Sequence, residues 1–329
     1  MVTIIDVARA AGVAPSTVSY VLSGKRSISP QTRRAVEQSI RKLGYHPHAG
    51  ARSLATSRTN VLALVAPLRE DLTVMDFVAA VATAARNHDQ DLLLLTKDEG
   101  PAALRRVISS AIADALIVME VEAADPRVPT LLALDRPVVL IGAPDQPVDL
   151  SSVDLDFAAA GGRCVEHLAD LGHRSIAMVG PAPSVYQRGI SSAGRFLSGL
   201  TDAAQAHGVV AKARPCAHNY DAVRACLDAL LATEPTGLVV NNEAVLPTVL
   251  AELHRRGLRV PDDISVVAVC SDSAATSGAV PLTTVPIPTV ELGELAVEMI
   301  IRQLGRDAQP ETRLLAPRLT PRASTALRS

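Results

Sequence analysis

The chain has no tryptophan and only three phenylalanines among 329 residues, so it offers little from which to build an aromatic platform under a sugar ring. Its four cysteines, Cys164, Cys216, Cys226 and Cys270, show no CxxC pair and no metal-ligand spacing with histidine. They read as isolated, mostly buried thiols, which argues against a disulfide framework or a cysteine-held metal. No stretch approaches the ~20 uninterrupted apolar residues of a membrane-spanning helix. The opening run, MVTIIDVARAAGV, sets Asp6 and Arg9 inside what would be an apolar signal core. No export signal is read there, and a cytoplasmic location is expected. Enzyme signatures are missing as well. There is no GxGxxG after a strand, no P-loop and no GxSxG elbow, and His167 and His173 have no evident nucleophile partner. No catalytic residue, metal or cofactor is expected.

What is there is a hydrophobic fraction of 48%, typical of folded protein, in a chain long enough for two or three domains. The net charge of −2 conceals a sharp asymmetry. Residues 1–60 carry nine Lys/Arg against the two acids Asp6 and Glu37, a balance of +7. The remainder, with 23 basic and 32 acidic residues, stands at −9. A small basic head on an acidic body fits a polyanion-binding module joined to a non-binding one. A merely solvated basic face would look the same, so the motif decides.

From Thr3 the sequence runs TIIDVARAAGVAPSTVSYVLSGK. Ile4, Val7, Ala8 and Ala11 fall at helical spacing behind a Thr3 N-cap, and Gly12 suits the left-handed conformation that ends a helix. Pro15 opens a second short helix, with Val18, Val21 and Leu22 as its expected buried stripe. Two such helices joined by a tight glycine turn form a helix-turn-helix, and the small Ala8 and Ala11 allow close approach. The outer face of the second helix presents Ser16, Thr17, Ser19 and Tyr20, hydrogen-bonding groups suited to a DNA major groove. The run SPQTRRAVEQSIRKLGY predicts a third helix, capped by Ser29, with Val36, Ile40 and Leu43 inward. Thr32 and Arg33 at its start are placed to reach phosphates.

The runs DVARAAGVAPSTVSYVLSGK and SPQTRRAVEQSIRKLGYHPHAGARSLATSRT resemble the N-terminal region of the lactose-repressor (LacI) family of bacterial regulators. The resemblance implies that Ser16 and Tyr20 occupy base-reading positions. It implies that Thr3, Thr17, Ser23, Thr32 and Tyr45 contact the DNA backbone. Two departures stand out: Ala14 replaces a serine that would cap the second helix, and Ser23 stands where asparagine is frequent. Residues 49–56 can form two helical turns, too short to be stable alone in water. By resemblance this hinge folds on DNA, with Leu54 as a wedge between base pairs and Ala51 beside it. His48 replaces the usual asparagine. The competing reading is an ordinary linker in which Leu54 packs on the body.

Beyond residue 60, short apolar runs alternate with helical segments. Buried parallel strands are expected at 61–66, 91–96, 114–119 and 137–142, and again at 175–180, 236–241 and 264–269. Helices are expected at 74–88, 158–171, 221–232, 243–256 and 289–304. Two such series imply two doubly wound units with a ligand cleft at the carboxyl ends of their strands. The phrases VEHLADLGHRSIAMVG, LRVPDDISVVAV, PLTTVPIPTVELGELAVEMI and LLAPRLTPRAST resemble the same family's effector-binding body.

The expected fold is therefore α/β: an all-α helix-turn-helix head (1–47), a hinge (48–59) and a periplasmic-binding-protein-like body (60–329). The body divides into a first subdomain of about 60–157 and 289–317 and a second of about 158–288 and 318–329, to which the last strand returns. The resemblance implies a repressor that binds a pseudo-palindromic double-stranded DNA operator, with a central CG step, as a homodimer. It implies a small-molecule effector, a sugar or other metabolite, between the subdomains. No leucine-heptad tail follows the body, so a dimer rather than a tetramer is expected. Candidate effector contacts are Arg195, Asn241, Cys270 and Asp272, with Cys270 in the place of a usual carboxylate. Arg195 also reads as a surface ion pair, Asn241 as a helix cap and Cys270 as inert packing or a redox sensor. A solute-binding transport protein, the alternative function, accounts for the body but leaves the +7 head without a purpose.

Overall fold

The structure, a computed structural model, describes residues 2–23, 26–45, 58–66, 72–96, 101–109, 112–305 and 308–328. In the head, α1 (Ile4–Ala11) is closed by a capping box in which the Asp6 N–H donates to Thr3 Oγ1 and the Thr3 N–H donates to the Asp6 carboxylate. Gly12 ends it at φ 67°, a conformation that favours glycine. α2 (Pro15–Ser23) follows after the tight turn, and α3 (Pro30–Leu43) begins at the Ser29 cap, whose hydroxyl accepts from the Thr32 N–H. Val7, Ala8, Val18, Val21, Val36 and Tyr45 form the head's core. Leu22 departs from the expected stripe. It is 36% exposed, because α1 and α3 cover only the strip of α2 that carries Val18 and Val21.

The body is built on two all-parallel sheets. The first has the order β11-β5-β4-β3-β1-β2, from β1 (Val61–Val65), β2 (Asp91–Leu95), β3 (Ala115–Val118), β4 (Val138–Ile141), β5 (Ser151–Leu155) and β11 (Thr312–Leu315). The second has the order β10-β9-β8-β6-β7, from β6 (Ser175–Gly180), β7 (Val210–Pro215), β8 (Gly237–Val240), β9 (Ser265–Ala268) and β10 (Thr283–Thr284). Apolar clusters cover both faces of each sheet, as parallel strands require.

Four strands escaped the apolar-run criterion, each for a physical reason. β5 reads SSVDL, yet all five residues are buried. Its polar groups are satisfied from elsewhere: Gln303 Nε2 donates to Ser151 Oγ at 2.5 Å, and the Ser152 and Thr312 hydroxyls meet at 3.1 Å. β7 is a sheet edge that carries the exposed Lys212 and Arg214, a pattern that discourages edge-to-edge pairing. β10, at the other edge of that sheet, is two residues long, and β11 alternates exposed and half-buried positions at an edge of the first sheet.

The chain crosses between the sheets three times. After β5 it enters helix Phe157–Asp170, which packs in the second lobe against Phe196 and Leu200. After β10 it returns through helix Thr289–Leu304, whose Leu292, Ala296, Val297 and Ile300 pack on Val74, Phe77 and Val81 of helix Leu72–Asn87. After β11 the tail rejoins the second lobe. There it forms a single antiparallel bridge, Thr320 to Thr284, and no regular strand. Side-chain bonds hold it instead: Ser324 Oγ donates to the Val266 carbonyl at 2.6 Å and accepts from the Thr283 N–H at 2.8 Å. Among the described residues no helix is long and apolar enough to cross a membrane.

Candidate functional site

Two regions carry functional chemistry, the outer face of the head and the cleft between the lobes. On α2, Ser16, Ser19 and Tyr20 lie at i, i+3 and i+4 and share one face, with Ser16 exposed and Thr17, Ser19 and Tyr20 half-buried. The Arg26 guanidinium sits 5.6 Å from the Tyr20 ring centroid, a cation–π contact that sets a positive charge beside this face of α2. The helical periodicity gave no signal for this pairing, because Arg26 lies beyond the end of α2. At the start of α3, the Thr32 hydroxyl engages Ser29 Oγ at 2.8 Å, and Arg33 is half-buried. Thr3 also uses its hydroxyl within the head, donating to Asp6 at 2.7 Å. That bond holds the Asp6 carboxyl below its ordinary range. Tyr45 is 6% exposed and packs in the head's core. The Ser23 side chain and residues His48, Ala51 and Leu54 lie outside the described residues.

Where the chain enters the body it is firmly held. The Asp114 carboxylate accepts from the Thr59 N–H at 2.9 Å and the Asn60 N–H at 2.8 Å, and Arg58 Nη2 donates to the Leu304 carbonyl at 2.7 Å. The segment leading from the head is thus tied to β3 and to the end of a helix of the same lobe. A shift of that lobe carries the segment with it.

The cleft has a volume of about 560 Å³, within the usual range of ~300–1,000 Å³ for small-molecule sites. Residues of both lobes line it, at the carboxyl ends of β3, β4, β5, β6, β8 and β9, where α/β sheets place their ligands. Direct ties already join its two walls. The Arg188 guanidinium meets Glu120 at 2.6 Å and Glu122 at 3.7 Å. Ser191 Oγ donates to the Ala143 carbonyl at 2.5 Å, and Glu122 bridges Ile190.

Of the four residues expected to hold an effector, Asn241 lines the cleft. Arg195 instead pairs with Asp154 across the lobes, behind the cleft wall, and its Nε is buried without a partner. The pair is largely shielded from water, unlike the expected surface ion pair. Burial pushes the Asp154 carboxyl above its ordinary range, with Arg195 opposing. Cys270 does not line the cleft. Its side chain turns into the core beneath β8 and β9, where burial, followed by the nearby Glu243 charge, pushes the thiol up to about 12. Asp272 lies outside the cleft, 67% exposed and paired with Arg322 at 2.6 Å. In place of a carboxylate at 270, Glu243 reaches across from the neighbouring turn and accepts from the Ser271 N–H at 2.9 Å and its hydroxyl at 2.8 Å.

The sequence reading missed Asp154, Glu120, Arg188, Ser192 and His218. Asp154 went unseen because β5 did. The signal available for Glu120, Ser192 and His218 was their place just after an apolar run or beside the start of a helix, whereas Arg188 closes the short helix Pro183–Gln187 and gave none. Among the described residues, no cluster of histidine, cysteine or carboxylate side chains is arranged to hold a metal.

Residues 3–48 match the bacterial regulatory proteins of the lacI family, and residues 165–325 match a periplasmic binding protein-like domain. The chain thus joins a lacI-family DNA-binding domain to a periplasmic-binding-protein-like domain, as lacI-family regulators do. Relatives of this family extend over nearly its whole length. Catabolite control protein A of Priestia megaterium is 26% identical over 314 residues, which is 93% of each chain. The transcriptional repressor PurR of Escherichia fergusonii is 29% identical over 336 residues, 99% of this chain and 97% of its own. Among solved structures, a lac repressor dimer bound to operator and an anti-inducer superposes with a TM-score of 0.84 at 23% identity, over 99% of both chains. That likeness speaks for the fold. The regulator CelR in complex with cellobiose superposes with a TM-score of 0.71 at 26% identity, over 98% of this chain and 100% of its own. These relatives are transcriptional regulators and not enzymes.

Proposed function

We propose that this lacI-family chain is a repressor that binds a pseudo-palindromic operator as a homodimer and whose affinity is set by a small molecule in the cleft between its lobes. One observation carries this reading: a face of Ser16, Ser19 and Tyr20 on a helix-turn-helix, with Ser16 exposed and the other two half-buried, sits on a basic head whose connection is anchored at Thr59 and Asn60 to one lobe of a two-lobed cleft. In this reading residues 1–47 are the DNA-binding head, 48–59 the hinge and 60–329 the effector-binding body. Ser16, Ser19 and Tyr20 face base edges, while Thr3, Thr17, Ser23, Thr32, Arg33 and Tyr45 serve the backbone. His48, Ala51 and Leu54 belong to the hinge, with Leu54 as the wedge at a central CG step. A change in the angle between lobes moves the two hinges of a dimer together or apart. Coupling of ~1–3 kcal/mol between cleft and operator is usual for such switches. The relatives' names, which include repressors and a regulator complexed with cellobiose, support the DNA and effector roles.

The test is selection of bound duplexes from a random pool by the purified full-length protein at a stated salt concentration. Enrichment of a pseudo-palindrome is expected, because two heads related by a twofold axis read two half-sites. Binding without enrichment, weakening uniformly with salt, would mean phosphate contact alone and would refute the operator reading.

A further inference from the structure

We propose that the molecule taken up by the cleft is an uncharged amphipathic compound, an apolar ring or chain with hydrogen-bonding groups along one edge, and not a saccharide or an organic acid. The inference rests on the reading of the cleft as an effector site and narrows the chemistry of its occupant. Three observations carry it.

First, the wall supplied by the first lobe is largely apolar, and its two carboxylates, Glu120 and Asp154, are already paired with Arg188 and Arg195. Val74, Phe77, Met119, Val121 and Ile141 line it, and Phe157, Ile287 and Leu292 continue the surface through the crossovers. Second, the polar side chains of the cleft divide into committed and uncommitted groups. Asn242 Nδ2 donates to the Gly180 and Cys216 carbonyls, Ser191 to Ala143, and the Glu243 carboxylate is taken by Ser271. Asp154 holds Arg195 and the Leu155 N–H, and Glu120 meets Arg188. Ser184, Ser192, His218 and Asn241 form no such bond among the described residues, and all four come from the second lobe. Third, carboxylates outnumber guanidinium groups in the lining, three (Glu120, Asp154 and Glu243) to one (Arg188).

These features select a ligand by elimination. A saccharide carries hydroxyls around its whole rim, and those turned to Val74, Phe77, Val121 and Ile141 would lose water and find no partner. Each such group weakens binding by roughly tenfold or more. An organic acid would enter a site already rich in carboxylate, where like charge disfavours it. A compound with an apolar face against Phe77 and Val121 and donors and acceptors toward Ser192 and Asn241 meets neither penalty.

The test uses the full-length protein and the uncharged fluorescent probe N-phenyl-1-naphthylamine. Saturable binding of one probe per protomer is expected. The neutral alcohol 2-phenylethanol should displace it, whereas phenylacetate, glucose and cellobiose at tenfold higher concentration should not. Phe77→Ser should weaken the probe at least tenfold. Ser192→Ala, a milder change that leaves the apolar wall intact, should weaken the alcohol several-fold more than the probe. Displacement by a saccharide or by phenylacetate at or below the alcohol's concentration would overturn the proposal. So would the absence of probe binding, or probe binding indifferent to Phe77→Ser. Operator binding is measured on the same preparation. A chain that binds operator but takes only a saccharide refutes this inference alone, and one that takes the alcohol without binding any enriched duplex refutes the regulator reading alone.

Discussion

Helix Ser191–Ala206 delivers Ser191 and Ser192 to the cleft, and two of its glycines make opposite predictions for the same substitution. Gly194 is exposed, and a Cβ added there meets nothing within 4 Å. At Gly199 a Cβ would fall on the backbone of helix Phe157–Asp170. It would strike the Ala158 carbonyl oxygen, with the carbonyl carbon 2.5 Å and the Cα 2.7 Å away. Alanine is favoured over glycine in a helix by ~1 kcal/mol at both positions. At Gly194 nothing offsets that gain, so Gly194→Ala stabilises by about 0.5–1 kcal/mol. Overpacking costs about 1–3 kcal/mol, and the upper end applies at Gly199 because the atom struck belongs to a backbone and cannot change rotamer. Gly199→Ala should therefore lose about 2 kcal/mol net, placing the two variants about 3 kcal/mol apart. Thermal melts of the full-length protein should separate them by roughly 6–12 °C, taking the ~2–4 °C per kcal/mol usual for a body of this size. A Gly199→Ala protein that melts at or above the unaltered chain would refute the claim that these helices touch backbone to backbone.

Three further outcomes are expected. Ala14→Ser supplies the missing cap of α2 and should add about 1 kcal/mol to the head, read as slower amide exchange at Thr17; unchanged exchange would remove the capping argument. Burial holds the His173 imidazole below its ordinary range, while its ring nitrogens engage Thr236 at 2.9 Å and the Ala326 carbonyl at 3.2 Å. The folded chain then binds fewer protons than the unfolded one, so this contribution to stability is present above pH ~6.5 and lost as the pH falls below it. His173→Gln should flatten the drop in melting temperature between pH 7.5 and 5.5, and an equal drop in both proteins would assign it to other groups. Cys164 and Cys270, both pushed up to about 12 by burial, should stay unreactive toward Ellman's reagent in the native protein at pH 8. Rapid reaction of Cys270, abolished in Cys270→Ser, would bring back a redox role for it.

Some of this molecule is written in short stretches of sequence. The caps at Thr3 and Ser29, the left-handed glycine at position 12 and the i, i+3, i+4 spacing on α2 each depend on residues within one or two helical turns. Neighbours that close are set by backbone geometry alone, so the head was legible before any contact was known. The same holds for β1, β3, β4, β6, β8 and β9, whose apolar runs are the mark of strands buried on both faces.

The cleft was not legible in that way. Its chemistry depends on pairs far apart in the chain: Arg195 with Asp154 at a separation of 41 residues, Arg188 with Glu120 at 68. β5 is a strand because Gln303 and Thr312, some 150–160 residues away, satisfy serines that would otherwise be too costly to bury. Whether Cys270 faces ligand or core turns on the direction of one side chain after β9, which a short motif does not set and the packing against Glu243 and the apolar layer does. Local periodicity thus determined that this protein has a helix-turn-helix head and a parallel α/β body. Long-range packing alone decided which polar groups remain uncommitted in the cleft, since a hydrogen bond formed elsewhere in the fold removes a side chain from ligand binding without leaving any trace in the sequence around it.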